Sequence, residues 1–110
     1  MNRLLRVALG ACAIAFATVA GPAAASTYVV TIEQMRFNPP IVTVHSGDSV
    51  VWVNRDLVAH TASADLKGFD SGSIAPAASW RYVARAPGSH PYKCLFHPEM
   101  HGTLIVKPNP

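Results

Sequence analysis

The sequence predicts an all-β fold, a single domain built as a Greek-key sandwich or barrel. Short runs rich in β-branched and aromatic residues recur between residues 28 and 106, and Gly, Pro, Asn and Asp turn signals separate them. No window after the first 25 residues sustains helical periodicity. The chain has 110 residues, 50% hydrophobic and 14% charged, which suits one small core and is too apolar for disorder.

Residues 1–25 read as a secretory signal peptide. Arg3 and Arg6 form a positive head, residues 7–20 an apolar run, Gly21-Pro22 a break, and Ala23-Ala24-Ala25 the small residues that a signal peptidase requires. The run is shorter than the ~20 apolar residues of a membrane span. The expectation is export to a bacterial periplasm, with residues 26–110 as the working domain and no stable membrane insertion after cleavage. The formal charge of +3 comes from nine basic and six acidic residues; without Arg3 and Arg6, seven face six. No basic stripe remains, which excludes a nucleic-acid partner.

The strands follow in order. Tyr28, Val30 and Ile32 alternate with Val29, Thr31 and Glu33, and Asn38-Pro39-Pro40 is expected to stop that strand. Residues 41–44 are a second β-branched run, ended by the turn Ser46-Gly47-Asp48. Residues 49–54 form a third, with Val50, Trp52 and Asn54 on one face. Residues 69–78, rich in Gly, Ser, Ala and Pro, read as irregular. Residues 80–83 make another strand, and Pro87-Gly88 turns the chain. Tyr92 and Cys94 share a face of the next strand, where Pro91 is expected to interrupt hydrogen bonding. Residues 103–106 make the last.

With the signal removed, Cys94 is the sole cysteine, so no internal disulfide is available in a compartment that favours them. It is a buried spectator, an intermolecular link, a nucleophile or a metal ligand, and its neighbours decide. In Cys94-Leu95-Phe96-His97-Pro98-Glu99-Met100, a thiolate, an imidazole and a thioether recur at steps of three within a tight loop, and His60 offers a second imidazole on the loop leaving the Trp52 strand. Two imidazoles, a thiolate and a weak axial thioether suit an electron-transfer copper site. Zinc also accepts two His and one Cys, although thioether sulfur adds little to a structural zinc site. A Cys–His nucleophile needs an orienting group and an oxyanion hole that the loop does not display. The blandest reading is a buried Cys94 with surface histidines and Met100 as core filler.

The loop Cys94-x-x-His97-x-x-Met100 with His60 upstream resembles the cupredoxins, the type 1 blue copper proteins. Its short spacing is most similar to the amicyanin branch, with pseudoazurins and plastocyanins as cousins. Gly47-Asp48, Val51-Trp52-Val53-Asn54, Phe69-Asp70-Ser71-Gly72, Pro87-Gly88 and Tyr92-x-Cys94 follow in the family's order. The resemblance implies an eight-stranded Greek-key sandwich holding one copper ion near one end. By position it makes His60, Cys94 and His97 the equatorial ligands, Met100 the axial ligand, and Asn54 the hydrogen-bonding tie between the two ligand loops.

The function so implied is a non-enzymatic, monomeric carrier of single electrons between a redox donor and an acceptor. They would dock transiently near His97, against Leu57, Val58, Ala59, Leu95, Phe96 and Pro98, with Glu99 on the rim. An exported copper sink or delivery protein is the alternative; it is disfavoured because only Met35 and Met100 remain after residue 25. His45 and His101 are expected at the surface, and His90 partly buried beside Tyr92.

Overall fold

Among the described residues, 10–16 and 24–109 of a computed structural model, eight strands form and no helix does. They are β1 (Thr27–Glu33), β2 (Arg36–Asn38), β3 (Ile41–His45), β4 (Ser49–Asn54), β5 (Ser63–Ala64), β6 (Ser79–Val83), β7 (Gly88–Lys93) and β8 (His101–Lys107). They pair into two four-stranded sheets, ordered β2-β1-β4-β6 and β3-β8-β7-β5. β1 runs parallel to β4 and β3 parallel to β8, and the other pairs are antiparallel. Most of the expected signal peptide, residues 1–9 and 17–23, lies outside the described residues. Among the described ones, no helix is long and apolar enough to cross a membrane.

The period of two in the sequence becomes the core between the sheets. Val30 and Ile32 of β1, Val42 and Val44 of β3, Val50 and Trp52 of β4, Tyr92 of β7, and Leu104 and Val106 of β8 all point inward and are buried. Trp52 is the centre of this core. Its ring meets Tyr92 edge-on at 5.5 Å, and Phe69 and Trp80 at 5.5 and 5.6 Å. Truncating such a buried aromatic typically costs about 3–5 kcal/mol. Burial pushes the Tyr92 phenol up to about 12; the Trp52 indole N–H lies toward it and offsets part of the rise without reaching hydrogen-bond geometry.

Two expectations about the strands are corrected. β1 stops at Glu33, before Asn38-Pro39-Pro40, because Gln34 and Met35 turn the chain with φ of 54° and 58°, and β2 pairs back with Glu33 opposite Arg36. Left-handed backbone at a residue other than glycine costs about 1–3 kcal/mol. Here the Asp56 carboxylate offsets it by accepting the N–H groups of both turn residues, at 2.7 and 3.0 Å. Asn38-Pro39-Pro40 closes β2 instead. The second correction concerns Pro91, across which β7 pairs without a break, opposite Thr103 of β8. In an antiparallel strand a residue's N–H and C=O point to the same side. The Pro91 carbonyl accepts the Asp65 N–H at 2.9 Å on the β5 side, so its missing donor faces away from β8.

Residues 69–78 are irregular as expected, apart from single bridges of Ile74 to His60 and of Asp70 to Ser63. The two-residue β5 is too short to leave a periodic signal. His45 and His101 are exposed, and His90 is half-buried with its Nε2 2.8 Å from the Ala86 carbonyl. At the start of β4, Asp48 is buried and accepts the backbone N–H groups of His45 and Ser26, each at 2.8 Å. These donors outweigh its burial and hold its carboxyl below the ordinary range.

Gly102 stands opposite Tyr92 in the β7–β8 ladder, and the Tyr92 ring lies directly over it, in the space that a Cβ would need. This is the close approach that only glycine permits in a strand interior. Gly102→Ala is therefore expected to force Tyr92 off its seat and destabilise the domain by about 1–3 kcal/mol, the usual cost of overpacking. Thermal unfolding checks this, with the midpoint falling by roughly 4–8 °C per kcal/mol for a domain of this size.

Candidate metal centre

The site forms where two loops leave the same end of the sandwich from opposite sheets. β4 ends at Asn54 and leads through residues 55–59 to His60; β7 ends at Lys93, so Cys94 is the next residue. Asn54 is fully buried and joins the first loop to the irregular segment beside it. Its Nδ2 donates to the carbonyls of Val58 and Ile74, both at 2.9 Å, and its Oδ1 accepts the Asp56 N–H at 2.9 Å. His60 and Ile74 exchange both backbone hydrogen bonds, at 3.2 and 2.7 Å. The tie expected of Asn54 thus runs within the first loop and to the 74–78 segment; its side chain makes no hydrogen bond to the Cys94 loop.

The link between the two loops belongs to Thr61. Its N–H points at Cys94 Sγ, 3.3 Å away, and its Oγ1 accepts the Leu95 N–H at 2.8 Å. Ser63 Oγ donates to Asp70 Oδ1 at 2.8 Å, which accepts the Gly72 N–H as well, and lies 3.0 Å from Thr61 Oγ1. The second loop closes on itself: Cys94 N–H donates to the Met100 carbonyl at 3.1 Å, and Met100 N–H to that of His97 at 2.9 Å.

Within this frame His60 and Cys94 are completely buried, Met100 is buried, and His97 is half-buried. Cys94 Sγ lies 3.7 Å from His60 Nδ1, and the His60 and His97 rings meet edge-to-face at 5.1 Å between centroids. The structure therefore brings His60 against both Cys94 and His97. Among the described residues, no three His, Cys, Asp or Glu side chains are already gathered in positions to hold a metal.

Sequence reasoning missed Asp56. Its Oδ2 lies 2.8 Å from His60 Nε2, which orients the ring so that Nδ1 faces the sulfur. Burial works against ionisation of Asp56, but the Met35 N–H, the His60 ring and the Gln34 N–H overcome it and hold the carboxyl below its ordinary range. The signal that could have found it is an acid four residues before a candidate ligand, since ligating histidines commonly give their second nitrogen to a carboxylate.

The chain matches the family model for the cupredoxin-like domain over residues 6–106. It belongs to the cupredoxins. A plastocyanin of Synechococcus sp. (strain JA-2-3B'a(2-13)) is 30% identical over 122 aligned positions, covering 94% of this chain and 88% of that protein. An amicyanin of Paracoccus versutus is 33% identical over 89 positions, covering 76% of this chain and 67% of that one. Among solved structures, the Cu(I) form of a methionine-to-alanine mutant of amicyanin superposes with a TM-score of 0.70 at 27% identity, covering 76% of this cupredoxin and 85% of that chain. A Cu-containing nitrite reductase from Thermus scotoductus shares the fold at 24% identity and a TM-score of 0.69, over 22% of its own chain.

Asn54→Ala would leave two buried carbonyls and one N–H without their partner. At about 1–3 kcal/mol for each unsatisfied group, less what water recovers, a loss of roughly 2–4 kcal/mol is expected. Urea unfolding monitored by Trp52 fluorescence measures it.

Proposed function

We propose that this cupredoxin is a copper-dependent carrier of single electrons, exported to the periplasm after removal of residues 1–25. In this reading His60, Cys94 and His97 are the equatorial ligands and Met100 the axial one. The observation that supports it best is the pairing of a fully buried thiol with a fully buried imidazole across 3.7 Å. That span suits one ion bonded to both atoms at about 2.0–2.3 Å, the ordinary range for nitrogen and sulfur on a small divalent metal. The donor set of imidazole, thiolate and thioether is soft, which favours copper. His97, already in ring contact with His60, would complete the set by turning its imidazole.

Copper, when bound, supplies the exchange between Cu(II) and Cu(I). The chain's own residues do the rest. Asp56 and Thr61 orient the His60 ring and the Cys94 sulfur, so both oxidation states meet nearly the same cage and little rearranges during transfer. Leu95 and Phe96 beside half-buried His97 in the chain, and Leu57 and Val58 on the loop that leads to His60, are 51%, 53%, 95% and 47% exposed. Exposed apolar groups of this kind mark partner sites, and redox encounters use small interfaces that release quickly. A redox protein donor and acceptor would each dock here in turn, with exposed Glu99 at the rim influencing association rate and salt dependence. No substrate is transformed, so the protein is a carrier and not an enzyme.

The deciding experiment is the visible and electron-spin-resonance spectrum of the copper-loaded protein. An intense blue thiolate-to-Cu(II) band is expected, and Cys94→Ser is expected to abolish it while the domain stays folded. A colourless protein that holds only Cu(I) would favour the sink or delivery reading instead.

Asp56→Asn removes the charged partner of His60, and copper affinity is expected to fall about 10–100-fold, the usual effect of losing a carboxylate behind a ligating histidine. Competition with a chelator measures it. Phe96→Lys is expected to leave the blue band unchanged and to slow electron exchange with the native partner about tenfold, equivalent to about 1.4 kcal/mol of lost docking. Stopped-flow mixing at fixed ionic strength gives the rate.

A further inference from the structure

At the other end of β4 from Asn54 lies a cavity of about 360 Å³, lined by Ala24, Ala25, Ser26, His45 and Asp48 among others. Its floor carries a buried carboxylate, Asp48, only 7% exposed. One oxygen accepts the His45 N–H and the other the Ser26 N–H, each at 2.8 Å. Among the described residues, neither oxygen meets a side-chain cation. A buried carboxylate normally has a charged partner as well as hydrogen bonds. His45, which is exposed, and Tyr28 also line the cavity, and the Arg81 guanidinium donates to Ser49 Oγ, on the neighbouring residue, at 3.0 Å. Lys107 and Arg85 reach the adjoining Ser46 through their backbone carbonyls.

The missing charge is one bond away. Ser26 N, already 2.8 Å from Asp48 Oδ1, is the atom freed if the chain is cut between Ala25 and Ser26. Ala24, Ala25 and Ser26 are all exposed, but the Ser26 carbonyl already accepts the Ser49 N–H at 2.9 Å, so the ordered ladder begins at the residue after the cut. We propose that Asp48 is the receptor for the α-ammonium group of a mature chain beginning at Ser26, so that processing gives this buried carboxylate a charged partner at the foot of β1 and β4. The inference rests on residues 1–25 being an export signal. In the cut, water adds to the Ala25 carbonyl carbon under a processing peptidase that accepts small residues. The C–N bond breaks, Ala25 leaves as a carboxylate on the signal, and the Ser26 nitrogen takes up protons to become the ammonium. The bond from an uncharged amide to the carboxylate then becomes a bond between two full charges.

The test uses the exported protein recovered from the periplasm. Its intact mass should correspond to residues 26–110. The native protein, Asp48→Asn and Asp48→Glu are then acylated at pH 7 with an activated ester, and modification of the N-terminal peptide is followed by mass spectrometry. Removing the carboxylate takes away the charge that holds the amine's proton and should raise its labelling rate about tenfold. Asp48→Glu should stay near the native rate. If Asp48→Asn does not fold, native protein compared with urea-unfolded protein gives the same contrast. A mass that starts at another residue overturns the processing step. A Ser26 terminus that labels equally fast with and without the carboxylate, or equally fast folded and unfolded, overturns the ion pair.

Discussion

Asn54 commits its side-chain NH2 to two carbonyls four and twenty residues further along the chain, Val58 and Ile74, and its oxygen to the Asp56 N–H. Because the residue is wholly buried, water cannot replace any of these bonds, and the loop carrying His60 has one course open to it. From that course the rest follows. Asp56 is set where its carboxylate reaches the His60 ring, His60 locks with Ile74 in a two-way backbone bridge, and Thr61 is left facing the Cys94 sulfur. The metal end is thus a consequence of one amide at a strand terminus, supported below by the Trp52 cluster.

Asp56 extends this control to a place the ligand motif does not suggest. The same carboxylate that holds His60 also holds the Gln34–Met35 turn, whose left-handed backbone has neither glycine nor asparagine to ease it. A strained turn and the His60 ring therefore share one anchor. Rigidity at the site is not confined to the loops that carry His60 and Cys94, because the hairpin of β1 and β2 is braced against it. A carrier that must meet two oxidation states with one geometry benefits from such bracing, since movement at His60 would have to displace the hairpin as well.

Much of this was legible in the residues. Alternation in 28–32, 42–44 and 50–54 named the buried faces, and the steps from Cys94 to His97 to Met100 pointed to a compact donor loop. What escaped was local pairing without periodicity. β5 has two residues, and β2 has three and follows a turn whose residues carry no turn signature; its stability comes from Asp56, twenty-one residues away. Pro91 misled because proline's effect on a strand depends on which side its nitrogen faces, and side is a property of register. The division of labour between Asn54 and Thr61 was invisible for a similar reason. Both are small polar residues near a ligand, and only geometry says which of them spans the two loops.

Pro91 also bears on how the molecule behaves in a crowd of its own copies. The outer margin of β7 is covered by β5 for only two residues, and a bare strand margin invites pairing with another chain. Just past β5, however, the margin offers an incoming strand nothing to grip at Pro91. Pro91 has no N–H, and its carbonyl is already taken by Asp65. A protein that must be met, used and released many times over cannot tolerate adhesive flanks. Here a residue that looks like a flaw in the ladder shields the sheet from fibrous self-association, at the opposite side of that strand from its partner β8.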